Sequence, residues 1–169
     1  MTVEEILVLT TGGTIDKQYF DALDTYQITD TVVARLIEIA RVKHPFRIEE
    51  LMRKDSLELT DTDRADLGAR VAGTALTRVV ITHGTDTMTE TAKLLAGIKD
   101  KTIVLTGALA PARFAESDAA FNLGMAFATA QTAPPGIYIT MNGSVFNALE
   151  VRKDRGKGMF LTAGTDARS

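Results

Sequence analysis

The sequence contains no cysteine and no tryptophan among its 169 residues. Without cysteine there is no disulfide scaffold, no thiolate metal site and no cysteine nucleophile. Only two histidines are present, His44 and His83, and neither has a second histidine four residues on, so a zinc site is not expected. His83, at the end of an apolar run, reads as a strand-end residue satisfied by the backbone rather than as a ligand. Positive charge is not in excess. Lys and Arg number 19 against 22 Asp and Glu, a net charge of -3, which lacks the clustered basic surplus of a nucleic-acid footprint. No apolar run approaches the ~18 residues of a membrane span. The opening MTVEEILVLTTGG carries acids where a secretory leader needs bases, so a cytoplasmic protein is expected. The P-loop pattern, the G-x-G-x-x-G turn and the G-x-S-x-G elbow are all missing, which disfavours nucleotide, dinucleotide and serine-hydrolase sites.

What is present describes a folded α/β chain. Hydrophobic residues make up 45% of it, too many for a disordered segment. The length predicts one domain, at roughly 150 residues per domain. Ile6–Thr10 is a short, continuous apolar run ending at Thr11-Gly12-Gly13, which predicts a buried strand stopped by a glycine turn. Similar runs lie at Val79–Thr82, Thr102–Leu105 and Ile137–Thr140, with a more polar strand at 46–52. Between them the spacing predicts helices. Asp30 is placed to cap one with Val33, Leu36, Ile37 and Ala40 inward, and a second over 60–76 has Ala65, Leu67, Val71 and Leu76 inward. A third over 87–98 buries Met88, Ala92, Leu95 and Ile98, and a fourth over 117–130 buries Ala120, Leu123, Phe127 and Ala130. Residues 14–29 show no period and read as a long functional loop. The part after Met141 reads as a short hairpin or irregular arm. Alternating strands and helices, with strands apolar on both faces, imply a three-layer, Rossmann-like or flavodoxin-like α/β fold with a mainly parallel sheet.

In such sheets ligands bind beyond the carboxyl ends of the strands. Polar clusters stand at those points: Thr10–Asp16, Thr82–Thr87, Thr106-Gly107-Ala108 and Met141–Ser144. Glycine permits close backbone approach and hydroxyls supply a donor and an acceptor at short reach. Each cluster alone is also an ordinary turn or helix cap. With cysteine, histidine and serine-elbow nucleophiles disfavoured, threonine is the candidate nucleophile, and Thr14 follows two glycines whose backbone N–H groups could face an oxyanion. Thr85, Asp86 and Lys153 are candidate partners.

The segments TGGTID (Thr11–Asp16) and HGTDTM (His83–Met88) resemble those of the bacterial-type L-asparaginase family. Leu105–Ala108 and the stretch from Met141-Asn142 to Val151-Arg152-Lys153 agree in order and position. The resemblance implies hydrolysis of L-asparagine, often also of glutamine, to the acid and ammonia through a threonine acyl-enzyme, with no cofactor and no metal. It implies Thr14 as nucleophile and Thr85, Asp86 and Lys153 as a Thr–Lys–Asp group. By the same resemblance Ser56, after Asp55, holds the α-carboxylate and Asp86 the α-amino group. Gly13 and Gly84 would shape the substrate cleft, and Ala108 would line its amide end. The family's lid tyrosine matches Tyr19 or Tyr26, with Tyr19 slightly preferred. Whether Lys153 acts as a base or only positions Thr85 beside Asp86 stays open.

The resemblance further implies a short form built from a catalytic domain at 1–161 and a flexible tail at 162–169. A homo-oligomer acting on a small molecule is expected, with no nucleic acid and no membrane among its partners. In that form the loop from Lys17 to Thr29 is the first candidate to replace groups that a second domain supplies in longer members. Other readings are a glutaminase, the amidase half of a tRNA-amidating complex, disfavoured by the lack of a large extra domain, and a non-hydrolytic amino-acid sensor.

Overall fold

The computed structural model describes residues 2–28 and 31–164. Strand β1 (Ile6–Gly12) runs into a 3-10 turn at Thr14–Asp16, followed by β2 (Lys17–Phe20) and β3 (Thr25–Ile28). Then come α1 (Val33–Ile39), β4 (Phe46–Lys54), a 3-10 turn at Ser56–Glu58, α2 (Asp61–Gly73), β5 (Arg78–Thr82) and α3 (Met88–Leu95). The chain continues with β6 (Thr102–Thr106), α4 (Ala119–Thr132), β7 (Gly136–Met141), β8 (Ser144–Asn147), β9 (Val151–Asp154) and β10 (Met159–Thr162).

Six strands form the main sheet in the order β4-β1-β5-β6-β7-β8. All pairs are parallel except β7 with β8. Counting only the parallel strands, this is the flavodoxin-like order, whose switch point lies between β1 and the third strand, here β5. The central strands β1, β5, β6 and β7 are largely apolar because both faces are covered. Ile6 and Val8 pack with Val33 and Ile37 of α1 and Leu123 and Phe127 of α4. Leu7 and Leu9 face the other way, with Leu67 and Val71 of α2 and Met88 and Leu95 of α3. Period-two alternation thus feeds two cores and leaves no polar face. Edge strand β4 escapes this demand, which explains its mixed sequence; its Glu49 binds Arg70 of α2.

Several expectations need correcting. The stretch after Thr14 is not a structureless loop: β2 and β3 pair as a hairpin with Tyr19 opposite Tyr26. Its polar, aromatic sequence hides the strands because neither face is buried, so no apolar alternation marks them. Ala40, Ala65 and Ala120 are exposed, whereas Arg64 and Ala119 are buried. Both helix shifts are of one position, within the drift of a small-residue pattern. Asp30 lies outside the described residues. The start of α1 is capped instead by Thr31 Oγ1, which accepts from Val33 N, and by Asp16 Oδ1, which accepts from Val32 N at 2.9 Å. Asn142-Gly143 has a structural task at the sheet edge. It makes the two-residue connection of the β7–β8 hairpin with φ of 52° and 69°, the left-handed geometry such turns require. The strand β10 includes Thr162, and residues 165–169 of the expected tail lie outside the described residues.

Candidate active site

The switch point gathers four segments. At the end of β1, Gly12 pairs with Lys54, and Gly13 N donates to Lys54 O at 2.9 Å. This brings the turn before Thr14 against the turn that carries Asp55 and Ser56. Gly13 has φ +83°, and a Cβ there would stand 2.5 Å from Gly84 N. Gly84 in turn is wedged on Ser56, where an added Cβ would meet Ser56 Oγ at 2.7 Å. Neither position admits a side chain, so Gly13, Ser56 and Gly84 form one close-packed backbone floor.

Thr85 and Asp86 leave this floor at the start of the turn before α3. The fourth segment arrives from far along the chain. Strand β9 places Val151 and Lys153 on one face, and Val151 is anchored with Phe160 in the larger core. Phe160 N donates to Asn142 Oδ1 at 2.8 Å, hanging the β9–β10 hairpin from the β7–β8 turn. Lys153 Nζ then donates to Thr85 Oγ1 at 2.6 Å and to Asp86 Oδ1 at 2.7 Å. Thr85 is 7% exposed, and Arg155 Nε adds a weaker contact to Asp86 Oδ1 at 3.6 Å.

Among the described residues, Thr14 is half-buried and its hydroxyl has no hydrogen-bond partner. Ser56 Oγ is buried and also without a partner, while Ser56 O accepts from Thr87 Oγ1 at 2.8 Å. Asp55 caps the Ser56 turn, accepting from Leu57 N at 3.1 Å, and pairs with Lys17 at 2.9 Å. Burial acts to raise the Asp55 pKa. The Lys17 hydrogen bond, the Leu57 N–H and the charges of Lys17 and Lys153 outweigh it and hold the carboxyl below its ordinary value.

Two buried titratable groups frame the site. His83 is fully buried, with Nδ1 on Gly84 O at 2.6 Å and Nε2 on Thr91 Oγ1 at 2.7 Å. Burial pushes its pKa down to about 4, so a neutral ring braces the turn, as its strand-end reading expected. Asp16 is buried at the root of the hairpin, and burial raises its pKa to about 6.

The tyrosines stand apart from this floor. The Tyr19 and Tyr26 rings meet at a tilt, with centroids 5.1 Å apart, and Tyr26 meets Phe114 at 6.0 Å. Both are exposed, 40% and 53% respectively, and the Tyr19 hydroxyl donates to Asp24, a bond that raises its pKa. The Ala108 methyl packs with Ile15 and Ala119 in a small cluster behind the Thr14 turn. The structure therefore brings together Gly13, Ser56, Gly84, Thr85, Asp86 and Lys153, with Thr14 and Asp55 at the edges of that group. It does not bring either tyrosine hydroxyl into a hydrogen bond with them. Sequence reading missed Thr87, Asp16 and Lys17 as supports. Asp16 and Thr87 had a signal, their places in the TGGTID and HGTDTM segments, and Lys17 had none. Among the described residues no group of His, Asp and Glu is arranged to hold a metal ion.

A flavodoxin-like α/β domain with a threonine–lysine–aspartate cluster at its switch point is the class that fold and site define. The sequence pattern of the asparaginase N-terminal domain matches residues 5–160, and the chain belongs to the asparaginase family. It is 32% identical over 163 residues to a glutaminase-asparaginase of Pseudomonas fluorescens biotype A, covering 88% of this chain and 45% of that protein. Among solved structures it is similar to L-asparaginase I of Vibrio cholerae, with TM-score 0.82 and 26% identity over 98% of this chain and 55% of that one. The thermostable L-asparaginase of Thermococcus kodakarensis gives TM-score 0.81 and 25% identity, covering 96% and 52%. The chain spans about half the length of the curated relatives it matches.

Proposed function

We propose that this chain hydrolyses the side-chain amide of L-asparagine to L-aspartate and ammonia. The observation that carries the reading is the convergence of Lys153 Nζ on Thr85 Oγ1 and Asp86 Oδ1, at 2.6 and 2.7 Å, beside the Gly13-Thr14 turn. Such a lysine orients the second hydroxyl and carboxylate while Thr14 keeps its own hydroxyl available. Thr14 Oγ attacks the amide carbon, the C–N bond breaks, and the hydroxyl proton leaves with ammonia. Water then cleaves the aspartyl ester, returning the Thr14 hydroxyl and releasing the new carboxyl group. Ser56 and Asp86 hold the α-carboxylate and α-ammonium ends, and backbone N–H groups near Gly13 and Thr85 face the oxyanion. Glutamine is the second reading, supported by the glutaminase-asparaginase relative. The test is ammonia release from L-asparagine and L-glutamine by the native chain and by Thr14→Ala. Turnover by the native chain, lost in a folded Thr14→Ala, is expected. Retained turnover removes Thr14 as nucleophile, and no release by the native chain leaves an amino-acid-binding domain.

A further inference from the structure

The ion pair between Lys17 and Asp55 has no part in the reaction just described, yet its position is unusual. Lys17 lies three residues after Thr14, and Asp55 immediately precedes Ser56. The pair at 2.9 Å therefore joins the nucleophile segment to the segment with the buried hydroxyl. Ser56 is 1% exposed, and its buried Oγ has no partner among the described residues. A buried donor of this kind points to a ligand acceptor that completes it. A single hydroxyl donates only one hydrogen bond to a carboxylate, whereas an ammonium beside it adds opposite charge and further donors. Of the nearby cations, Lys153 is held by Thr85 and Asp86, Arg53 pairs with Glu50 at 2.7 Å on its own strand, and Arg155 makes only a 3.6 Å contact to Asp86.

Lys17 is the cation already held against the segment of Ser56, through its pair with Asp55. Its pair is about a quarter exposed on each side, 26% and 29%, and exposed pairs contribute little to stability. Asp55 does not depend on Lys17 alone, since the Leu57 N–H and the Lys153 charge also support its charged form. The two residues line an open cleft of about 330 Å³ with Tyr26, Gln27, Arg53 and Glu58, so the pair is not packed in on that side.

We propose that Lys17 is a specificity residue: its ammonium exchanges Asp55 for the α-carboxylate of a free amino-acid substrate, beside the hydroxyl of Ser56. The chain thereby selects zwitterionic substrates over those whose α-carboxyl is blocked. The proposal rests on the amidohydrolase reading and deepens it.

The experiment compares native protein, Lys17→Met and Lys17→Arg on L-asparagine and on L-asparagine methyl ester, which keeps the side-chain amide and loses the α-carboxylate charge. The ratio of kcat/KM for the free acid over the ester is expected to fall about tenfold in Lys17→Met, through KM. Lys17→Arg should restore most of it. An equal loss on both substrates would mean that Lys17 only holds the hairpin, and an unchanged ratio would mean that it does not meet the carboxylate; either overturns the proposal. Calorimetry with L-aspartate separates this from failure of the reading itself. If the native chain turns over neither substrate, the amidohydrolase reading falls. About tenfold weaker aspartate binding by Lys17→Met then still supports carboxylate recognition by Lys17. Equal binding, or no binding by the native chain, overturns it.

Discussion

The floor at the strand ends and the β2–β3 hairpin beside it are built on opposite terms. The floor is backbone pressed on backbone, with Gly13 on Gly84 and Gly84 on Ser56, and His83 neutral beneath. Thr85 is fixed there by a lysine whose strand is anchored in the core. The hairpin has no buried face. It is held by Asp16 at its root, by the Lys17–Asp55 pair and by tilted ring contacts among Tyr19, Tyr26 and Phe114. Thr14 sits between the two regions and shares the character of each: its backbone is fixed by the glycines, and its hydroxyl is uncommitted. The difference teaches that one half of the site is preorganised, where electrostatic groups cost no reorganisation in the transition state. The other half can adjust to a ligand.

The largest break in this comparison comes from removing the link that stiffens the floor. Lys153→Met should lower kcat on the order of 10³-fold, the upper range for loss of one preorganised donor, with the melting temperature nearly kept. Unchanged kinetics would separate β9 from the chemistry. Next, Gly13→Ala attacks the floor itself. The new Cβ combines a positive-φ cost with a backbone clash, so unfolding in urea should show a loss of about 3 kcal/mol or more. A loss below about 1 kcal/mol would show a floor that yields.

Acid stability sharpens the contrast because each region holds one perturbed buried group. His83 falls from its ordinary 6.5 to about 4, so the fold favours its neutral form. Its contribution is complete above pH 6.5 and is lost as the pH falls toward 4. Asp16 rises from 3.8 to about 6, so the fold favours its protonated form, and its contribution grows as the pH falls through the same window. Each shift corresponds to roughly 3 kcal/mol, of opposite sign. The native chain should therefore show a shallow profile between pH 6.5 and 4, whereas Asp16→Asn should lose roughly 3 kcal/mol over that range from His83 alone. Parallel profiles for the two proteins would refute the opposition.

The smallest effects belong to the hairpin rings. Tyr19→Phe should lower kcat on the order of 10²-fold if its hydroxyl joins proton transfer. Tyr26→Phe should change it less than about threefold, because that ring packs against Tyr19 and Phe114 and the ring contacts survive loss of a hydroxyl. Equal, small changes in both would reduce the hairpin to a packed cover.

How far each region was legible follows the same division. The buried strands were readable because two covered faces demand continuous apolar runs, and Thr10–Asp16 and Thr82–Thr87 stand where those runs stop. The hairpin was not, since strands with no buried face carry no period to read. Ala65 and Ala120 misled for a related reason: in helices rich in small residues, alanine marks both the inward and the outward side. Arg64 is buried where Ala65 was expected because its guanidinium donates to Leu59 O and pairs with Glu90, which no spacing rule encodes.

By itself the sequence determined the alternation of elements, the parallel sheet, the glycine turns at its carboxyl edge and the motifs that tie the chain to its family. Those are local properties, set by period, propensity and backbone freedom. Only the tertiary structure decided the geometry by which Lys153 reaches Thr85 across 68 positions, that Lys17 meets Asp55, and that Asn142 holds the hairpin of Lys153. Local patterns set which way a side chain faces, but which chains of atoms meet is set by sheet register and by the packing that anchors Val151 and Phe160.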